Sequence, residues 1–295
     1  MSKNFKGIIL AGGFGTRLKP LTNTISKQLM PVYDKPMIYY PLSTLMLTGI
    51  KDILIITTSK DESLFKNLLG NGERLGISIS YKVQNYPNGI AEAFLIAEDF
   101  IKESNISLIL GDNLFAGSDL INILKYAKNN LSGAHIFASI VNNPKSYGVV
   151  KFDKFRKIVD IIEKPLEAPS KYAVTGIYFF DSSVIKKTKL LKPSNRNELE
   201  ITDLLKLYLK EDKLDFSILG RGITWLDTGT FESLHDASSF VKTIENRQGL
   251  KLGCPEEIAW RNRWINNSQL KAFSSENLKS GYGEYLLSLL DEKIF

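Results

Sequence analysis

The chain has 295 residues, 43% of them hydrophobic and 24% charged, so it can bury a full core in one large domain, or in one domain with an appendage. The net charge of +6 suits phosphate-rich ligands, but the dispersed basic residues form no arginine-rich arm, zinc finger or basic zipper, which disfavours nucleic-acid binding. The apolar runs are far shorter than the roughly 20 residues of a membrane helix, and no signal sequence opens the chain, so we expect a cytoplasmic protein that binds no membrane.

Apolar runs alternate with amphipathic stretches through the first half of the chain. The runs are bounded by Gly, Asn or Asp and predict buried strands at residues 7–11, 53–57, 77–83, 106–110 and 135–140. The stretches between the early runs carry apolar residues at helical spacing and predict helices at residues 36–47, 61–69, 90–102 and 119–129. This rhythm is typical of an α/β protein with a largely parallel sheet.

The second half of the chain is first rich in strands and then helical. Strands are predicted at residues 148–152, 157–163, 172–180 and 214–219, and we expect them to add antiparallel pairs to the same sheet. Helical patterns follow at residues 231–246 and 255–264 and in shorter stretches that end at 285–290. We therefore predict an α/β fold with a Rossmann-like mixed, mostly parallel sheet flanked by helices, comprising a core at residues 1–229 and a C-terminal helical appendage at residues 230–295.

A glycine-rich segment follows the first predicted strand, at the sheet edge where open α/β folds bind ligands. Gly12, Gly13 and Gly15 lack side chains and allow positive φ, so successive backbone N–H groups can point at phosphate oxygens. Arg17 and Lys27 can add positive charge for a triphosphate. The alternative interpretation is a tight turn with surface charges.

Two known phosphate-binding motifs do not match this segment. Gly15-Thr16-Arg17 stands where a Walker A loop requires Gly-Lys-Ser/Thr, and Leu18 stands where the dinucleotide fingerprint requires its third glycine. The second mismatch disfavours a dehydrogenase.

Two carboxylates follow apolar stretches that are distant in sequence. Asp112 ends a predicted strand, where a lone Asp is usually a turn or helix-capping residue. Asp227 follows the second stretch, and two carboxylates together with substrate phosphates are a ligand set that Mg²⁺ commonly accepts. Sequence spacing alone does not bring the two residues together.

The cysteine and the histidines offer little chemistry. Cys254 has no disulfide partner, and His135 and His235 lack partners at zinc-site spacing. We expect a structural role for both histidines.

Three segments near the start of the chain closely resemble a known enzyme family. Residues 11–22 (AGGFGTRLKPLT) and 26–36 (SKQLMPVYDKP) resemble the signature of the sugar-1-phosphate nucleotidylyltransferases. Residues 37–47 (MIYYPLSTLML) resemble the short bacterial thymidylyltransferases of that family more than its uridylyl or guanylyl branches. The resemblance extends over nearly the entire chain, including residues 254–261 and 281–286.

The resemblance implies transfer of the thymidylyl group of dTTP to glucose 1-phosphate, by Mg²⁺-dependent direct displacement at the α-phosphorus, giving dTDP-glucose and pyrophosphate. It places nucleotide binding in the first half of the core and sugar binding in the second. The implied catalytic residues are Arg17, Lys27, Asp112, Lys164 and Asp227, of which Asp112 and Asp227 hold the metal. The implied nucleotide contacts are Leu10, Gly12, Gly13, Gly15, Thr16, Arg17, Gln28, Gln84, Pro87, Gly89 and Asp112, and the implied sugar-phosphate contacts are Tyr147, Gly148, Glu163, Lys164, Val174 and Trp225.

Several of these residues also have ordinary structural interpretations. Pro87 and Gly89 are typical turn residues, whereas the Gln84 amide can match one edge of a pyrimidine. Residues 197–203 resemble a further family stretch, and we rank Arg196, Glu198 and Glu200 below the other candidates. By resemblance we also expect a homotetramer with feedback inhibition by dTDP-rhamnose at a second site near the C-terminal segment.

Two alternatives remain besides a dehydrogenase. One is uridylyl transfer to the same sugar phosphate. The other is a non-catalytic protein that senses nucleotide sugars, which is disfavoured because all five implied catalytic residues are present.

Overall fold

The strands of the protein form where β-branched and aromatic residues cluster, as the sequence predicts. The computed structural model describes residues 4–13 and 15–291, so Phe14 of the glycine-rich segment and residues 292–295 of the predicted appendage lie outside the described residues. The strands are β1 (Phe5–Ala11), β2 (Pro31–Val32), β3 (Lys35–Pro36), β4 (Asp52–Thr57), β5 (Ser78–Val83), β6 (Asn105–Leu110), β7 (Asn113–Ala116), β8 (Ala134–Ile140), β9 (Gly148–Phe152), β10 (Ile158–Glu163), β11 (Tyr172–Phe180), β12 (Leu214–Ile218) and β13 (Thr224–Asp227).

The helices occupy the amphipathic stretches between the strands and most of the C-terminal segment. They are α1 (Tyr39–Leu47), α2 (Glu62–Leu69), α3 (Glu92–Ile96), α4 (Glu98–Ile101), α5 (Leu120–Asn129), α6 (Val184–Thr188), α7 (Ile201–Lys210), α8 (Phe231–Gln248), α9 (Pro255–Arg261), α10 (Asn267–Asn277) and α11 (Tyr282–Ser288). None of the helices in the described ranges is long and apolar enough to cross a membrane.

Three predicted helices differ in extent from those observed. The helix predicted at residues 36–47 begins only at Tyr39, because Lys35–Pro36 pairs with Pro31–Val32 as a short antiparallel ladder. The helix predicted at 90–102 is interrupted at Ala97, whose ψ of 6° lies outside the α-helical range. The helix predicted at 255–264 ends at Arg261, shortly before Arg263 adopts a positive φ of 59°.

One nine-stranded mixed sheet forms the centre of the molecule, which confirms the predicted fold class. Its main path runs β10-β9-β11-β6-β1-β4-β5, and β8 pairs with both β11 and β12. The strands of the first half, β6, β1, β4 and β5, are parallel to one another. Strand β11 pairs antiparallel with β6, β8 and β9, which supplies the antiparallel part that the strand-rich sequence predicts.

Two apolar cores lie on opposite faces of this sheet, because successive side chains of a strand point to opposite sides. In β1, Ile9 packs in a core with helices α1, α2, α5 and the C-terminal helices, whereas Ile8 packs in a second core with α3, α6 and α7. Helices therefore cover both faces, and the edge formed by the strand ends is left for ligands.

The carboxyl end of β1 lies at a switch point of the sheet. Strand β1 lies between β4 and β6, and the chain leaves β1 toward β4 and later returns to β6 on the other side. Open α/β sheets bind ligands in the crevice at such a point. The glycine-rich segment after β1 and Asp112 after β6 both open onto this crevice.

Candidate active site

The glycine-rich segment turns sharply after β1 and has little room for side chains. Gly15 has a φ of 58°, and a Cβ atom there would lie 3.3 Å from Lys27 Cβ. A Cβ atom on Gly12 would lie 2.8 Å from Oε1 of Gln84. These two glycines therefore serve packing and backbone conformation, while Gly13, where a Cβ atom would have no neighbour within 4 Å, faces open space.

Lys27, which is buried behind Asp112, forms a direct ion pair with it. Lys27 Nζ donates to Asp112 Oδ2 at 2.5 Å, and Asn113 Nδ2 donates to Asp112 Oδ1 at 2.8 Å. Burial alone would raise the pKa of the Asp112 carboxyl, but the Lys27 ammonium and the Asn113 amide hold that pKa below its usual value. Asp112 is therefore an ionised carboxylate at neutral pH.

A small second sheet, which the sequence did not predict, brings Asp227 to Asp112. Strands β7 and β13 pair antiparallel with Asn113 opposite Asp227. The backbone N–H and Oγ1 of Thr228 also donate to the Asp112 carbonyl oxygen, at 3.1 and 2.9 Å. Asp227 Oδ1 accepts a hydrogen bond of 3.0 Å from the Tyr147 hydroxyl. The two predicted metal ligands thus line one cavity.

Arg17 also reaches this cavity. A Cβ atom on Gly229 would lie 2.9 Å from an Arg17 guanidinium nitrogen, so the guanidinium packs over this glycine, two residues after Asp227. A positive charge therefore lines the same cavity as the two carboxylates.

Aromatic residues and an amide shape the part of the cavity where the resemblance predicts sugar contacts. The Tyr147 and Trp225 rings lie with their centroids 5.1 Å apart. Trp225 Nε1 donates to Asn113 Oδ1 at 2.5 Å, and the Gly176 N–H donates to the same oxygen at 3.2 Å. Asn113 thereby links Asp112 to β11 and β13, and the only sequence signal for it was its place next to Asp112.

A charged cluster closes the far end of the cavity. Arg196 donates to both oxygens of Glu200, at 3.1 and 2.7 Å, and lies 3.3 Å from Glu198 and 3.5 Å from Glu163. Lys164, which is half exposed, lies 3.9 Å from Glu163. Burial raises the pKa of the Glu163 carboxyl, and the nearby Glu200 adds to this, although Lys164 and Arg196 oppose it.

These elements enclose one cavity of about 640 Å³. The predicted site residues that line it are Gly13, Thr16, Arg17, Asp112, Tyr147, Gly148, Glu163, Lys164, Val174, Trp225 and Asp227. Its lining also includes Arg196, Glu198 and Glu200, which the sequence analysis ranked below the other candidates, and residues that it did not select, notably Asn113, Ser146 and Tyr178. Tyr178 lies within an ordinary strand pattern, so no local signal distinguished it.

The remaining predicted nucleotide contacts lie behind or beside this cavity. Lys27 is buried behind Asp112, and Gln28 is buried beneath Gly111. The Ser26 hydroxyl donates a hydrogen bond to Gln28 Oε1. Gln84 lies against Gly12, and the turn with Pro87 and Gly89 continues from it. The Leu10 carbonyl oxygen accepts from the Gly111 N–H at 2.9 Å, and Gly15 packs on Lys27.

The histidines and the cysteine lie outside the cavity lining. His135 is buried in β8, where Nε2 hydrogen bonds with Ser217 Oγ at 2.9 Å and burial lowers the pKa to about 4. His235 is exposed on α8, and Cys254 is a buried free thiol.

The chain is similar in sequence and in structure to several known proteins. Residues 6–244 match the family model described as nucleotidyl transferase. A glucose-1-phosphate thymidylyltransferase of Neisseria meningitidis is 55% identical over 97% of this chain and 99% of its own length. A crystal structure of a Bacillus anthracis protein assigned the same activity, in complex with a sucrose, superposes with a TM-score of 0.75 and 42% identity over 80% of this chain and 94% of that chain. A UDP-glucose pyrophosphorylase complexed with UDP-glucose superposes with a TM-score of 0.72 and 27% identity, over 82% of this chain and 99% of that one.

Proposed function

Because the chain belongs to the nucleotidyl transferase family and matches its thymidylyltransferase relatives over nearly their full length, we propose that it transfers the thymidylyl group of dTTP to glucose 1-phosphate. The products are dTDP-glucose and pyrophosphate. The observation that carries the proposal is the single cavity in which the glycine-rich segment, two carboxylates and the cations Arg17, Lys164 and Arg196 meet.

The cavity provides charge neutralisation rather than a nucleophile. A phosphate oxygen of glucose 1-phosphate attacks the α-phosphorus of dTTP, and the electron pair of the breaking bond leaves with pyrophosphate. A phosphate monoester has a second pKa of about 6 and is anionic near neutral pH, so the attack needs no general base. Arg17, Lys164 and Arg196 oppose the repulsion between the two anionic substrates and help to orient them.

Lys27 acts through Asp112 in this proposal. It is only 5% exposed and lies outside the cavity lining, so its ion pair serves to keep Asp112 ionised. A direct contact of its ammonium with the leaving pyrophosphate is what the family resemblance implies.

Asp112 and Asp227 are the residues that would hold Mg²⁺. Among residues 4–13 and 15–291 no group of three or more His, Cys, Asp and Glu residues could hold a metal, so two carboxylates and the substrate phosphates are the donor set on offer. Hard oxygen donors in that number fit Mg²⁺, and the low pKa of Asp112 keeps one of them charged. When bound, the ion supplies positive charge to the nucleotide phosphates.

Pyrophosphate release measured across a panel of nucleoside triphosphates and sugar 1-phosphates tests the proposal. We expect dTTP with glucose 1-phosphate to give the highest kcat/KM. A higher value with UTP would favour uridylyl transfer, which the likeness to a UDP-glucose pyrophosphorylase keeps as the second candidate. Nucleotide-sugar binding without turnover would indicate a sensing protein, and NAD(H) binding a dehydrogenase.

A second cavity, near the C-terminal helices, supports the proposal of feedback regulation. It measures about 360 Å³ and is lined by residues of α1, α5 and α9, with the cations Lys125 and Lys251. We propose that it accepts dTDP-rhamnose and that the protein is a homotetramer. Inhibition by dTDP-rhamnose that dTTP does not relieve, and light scattering of the purified protein, test the two statements.

A further inference from the structure

Gln84 follows β5, and its side-chain amide is held in one orientation. The residue is only 4% exposed. Its Nε2 donates to Glu92 Oε2 at 2.7 Å and to the Gly89 carbonyl oxygen at 3.3 Å. An amide nitrogen has two hydrogens, so both are used. The other oxygen of Glu92 accepts from Asn88 Nδ2 at 2.8 Å, which fixes the carboxylate in turn.

The amide cannot be turned over in this environment. A carboxylate and a carbonyl only accept hydrogen bonds, so a reversed amide would place Gln84 Oε1 against two acceptors. In the observed orientation Oε1 faces Gly12 of the glycine-rich segment. No donor from residues 4–13 and 15–291 forms a hydrogen bond with Oε1. One acceptor is thus left beside the glycine-rich segment.

We propose that Glu92 is a specificity-determining positioning residue, which fixes the Gln84 amide so that only its carbonyl oxygen is offered to the nucleotide base. This inference rests on the proposed function, because Gln84 meets a base only if the glycine-rich segment binds the nucleotide. Thymine and uracil present a ring N3–H donor, which pairs with Oε1. Cytosine presents an unprotonated N3 acceptor at the same ring position, and two facing acceptors repel each other.

Glu92, acting through Gln84, discriminates against cytosine. The same contact does not discriminate between thymine and uracil, since both bases carry N3–H.

The test compares kcat/KM for dTTP, dCTP and UTP in the wild type and in Glu92→Gln. A glutamine at this position can donate to a reversed Gln84 amide, so one of the two acceptors that oppose reversal is removed and only the weaker contact with the Gly89 carbonyl oxygen remains. The reversed amide can then offer its NH₂ group to cytosine N3. We expect the dTTP-to-dCTP ratio to fall roughly tenfold, equivalent to about 1.4 kcal/mol, with the dTTP-to-UTP ratio and the KM for glucose 1-phosphate unchanged. Glu98→Gln is the matched control, because Glu98 lies on the next helix and pairs with Lys189 at 2.5 Å.

A second measurement needs no variant. Wild-type enzyme should use N3-methyl-dTTP far less well than dTTP, because the methyl group removes the donor. Equal use of the two nucleotides, or an unchanged dTTP-to-dCTP ratio in Glu92→Gln, would overturn the inference while leaving the proposed function intact. A wild-type protein that releases no pyrophosphate from dTTP and glucose 1-phosphate would instead overturn the proposed function itself.

Discussion

The Lys27–Asp112 ion pair keeps the Asp112 carboxylate ionised, and it contributes little to the free energy of unfolding. Desolvation of both groups offsets much of their attraction, so such a partly buried pair adds little net stability. Removing one partner is costly because the other charge is left uncompensated. The pair therefore maintains an ionised carboxylate between β6 and β7. The antiparallel partner of β7, strand β13, carries Asp227.

The first prediction concerns the two carboxylates as one metal site. Asp112→Asn and Asp227→Asn each replace an anionic ligand with a neutral amide, so turnover should fall roughly ten- to a thousandfold, or about 1.4 to 4 kcal/mol of barrier. If they hold one ion, the double variant should lose much less than the product of the single losses. Turnover is measured against Mg²⁺ concentration, and a wild-type metal dependence in folded Asp227→Asn would contradict the shared site.

The second prediction concerns Glu163 and pH. Because the folded-state pKa of Glu163 is raised, this carboxyl takes up its proton at a higher pH than an ordinary glutamate as the solution is acidified. If the Glu163 carboxylate accepts hydrogen bonds from sugar hydroxyls, as the resemblance implies, these bonds are lost on protonation, so the KM for glucose 1-phosphate should rise as the pH is lowered from neutral, before an ordinary glutamate would titrate. The KM for dTTP should not follow it.

Glu163→Gln separates this effect from the titration of the substrate. The variant should show a KM for glucose 1-phosphate that is roughly tenfold higher at neutral pH, about 1.4 kcal/mol, and less dependent on pH. The phosphate of glucose 1-phosphate titrates near pH 6 with either enzyme. Identical pH profiles for variant and wild type would assign the whole dependence to the substrate.

At the scale of elements, the turn after β5 and the segment before α7 form one unit. The Leu199 N–H donates to the Asn88 carbonyl oxygen at 2.6 Å, and the Ala91 N–H donates to the Leu199 carbonyl oxygen at 3.2 Å. Gly89 has a φ of 103° and packs directly on the Leu199 backbone. The turn next to Gln84 is therefore hydrogen bonded to the segment that carries Arg196.

The third prediction tests this contact with Gly89→Ala. The new Cβ atom would meet the Leu199 backbone in a conformation that alanine rarely adopts, so the free energy of unfolding should fall by about 1–3 kcal/mol. Gly220→Ala is the control, because Gly220 has no positive φ and open space around its Cβ position. Urea unfolding of both variants checks the prediction. Equal stability of the two would show that the turn adapts freely.

At the scale of the whole molecule, the C-terminal helices share their core with the sheet. Buried Ile258, Leu270 and Leu286 belong to the same apolar core as Ile9 of β1 and Leu42 and Leu45 of α1. Helix α9 packs directly on α1. Such shared burial predicts that the appendage unfolds together with the rest of the chain.

The fourth prediction uses Leu270→Ala in α10. Leu270 is fully buried, so truncation should lower the free energy of unfolding by about 2–5 kcal/mol in a single transition of the entire chain. Leu278→Ala, at a position that is 44% exposed, should change it by less than about 0.5 kcal/mol. An early separate transition in calorimetry, with the main one unchanged, would mean that the appendage unfolds independently.

Periodicity in the sequence determined most of the fold, because each element buries its own apolar face. The strands of the first half appeared close to their predicted bounds, as in residues 106–110 against the observed Asn105–Leu110. The place of the glycine-rich segment after the first strand followed from the same local patterns, whereas the switch point depends on the order of the strands in the sheet. Helix limits were less certain, because Pro36 and Ala97 depart from the helix through pairing and backbone conformation that a hydrophobic pattern does not record.

Residue type and family resemblance singled out Gly13, Arg17, Asp112 and Asp227, and all four line one cavity. Only the tertiary structure decided that β7 and β13 pair, and so that the two aspartates, distant in sequence, line one cavity. It also decided which amide atom of Gln84 is free, that Asn113 connects both halves of the site, and that Arg196 reaches Glu163. These are contacts between elements far apart in the chain, and their geometry depends on how whole layers pack rather than on any local pattern of residues.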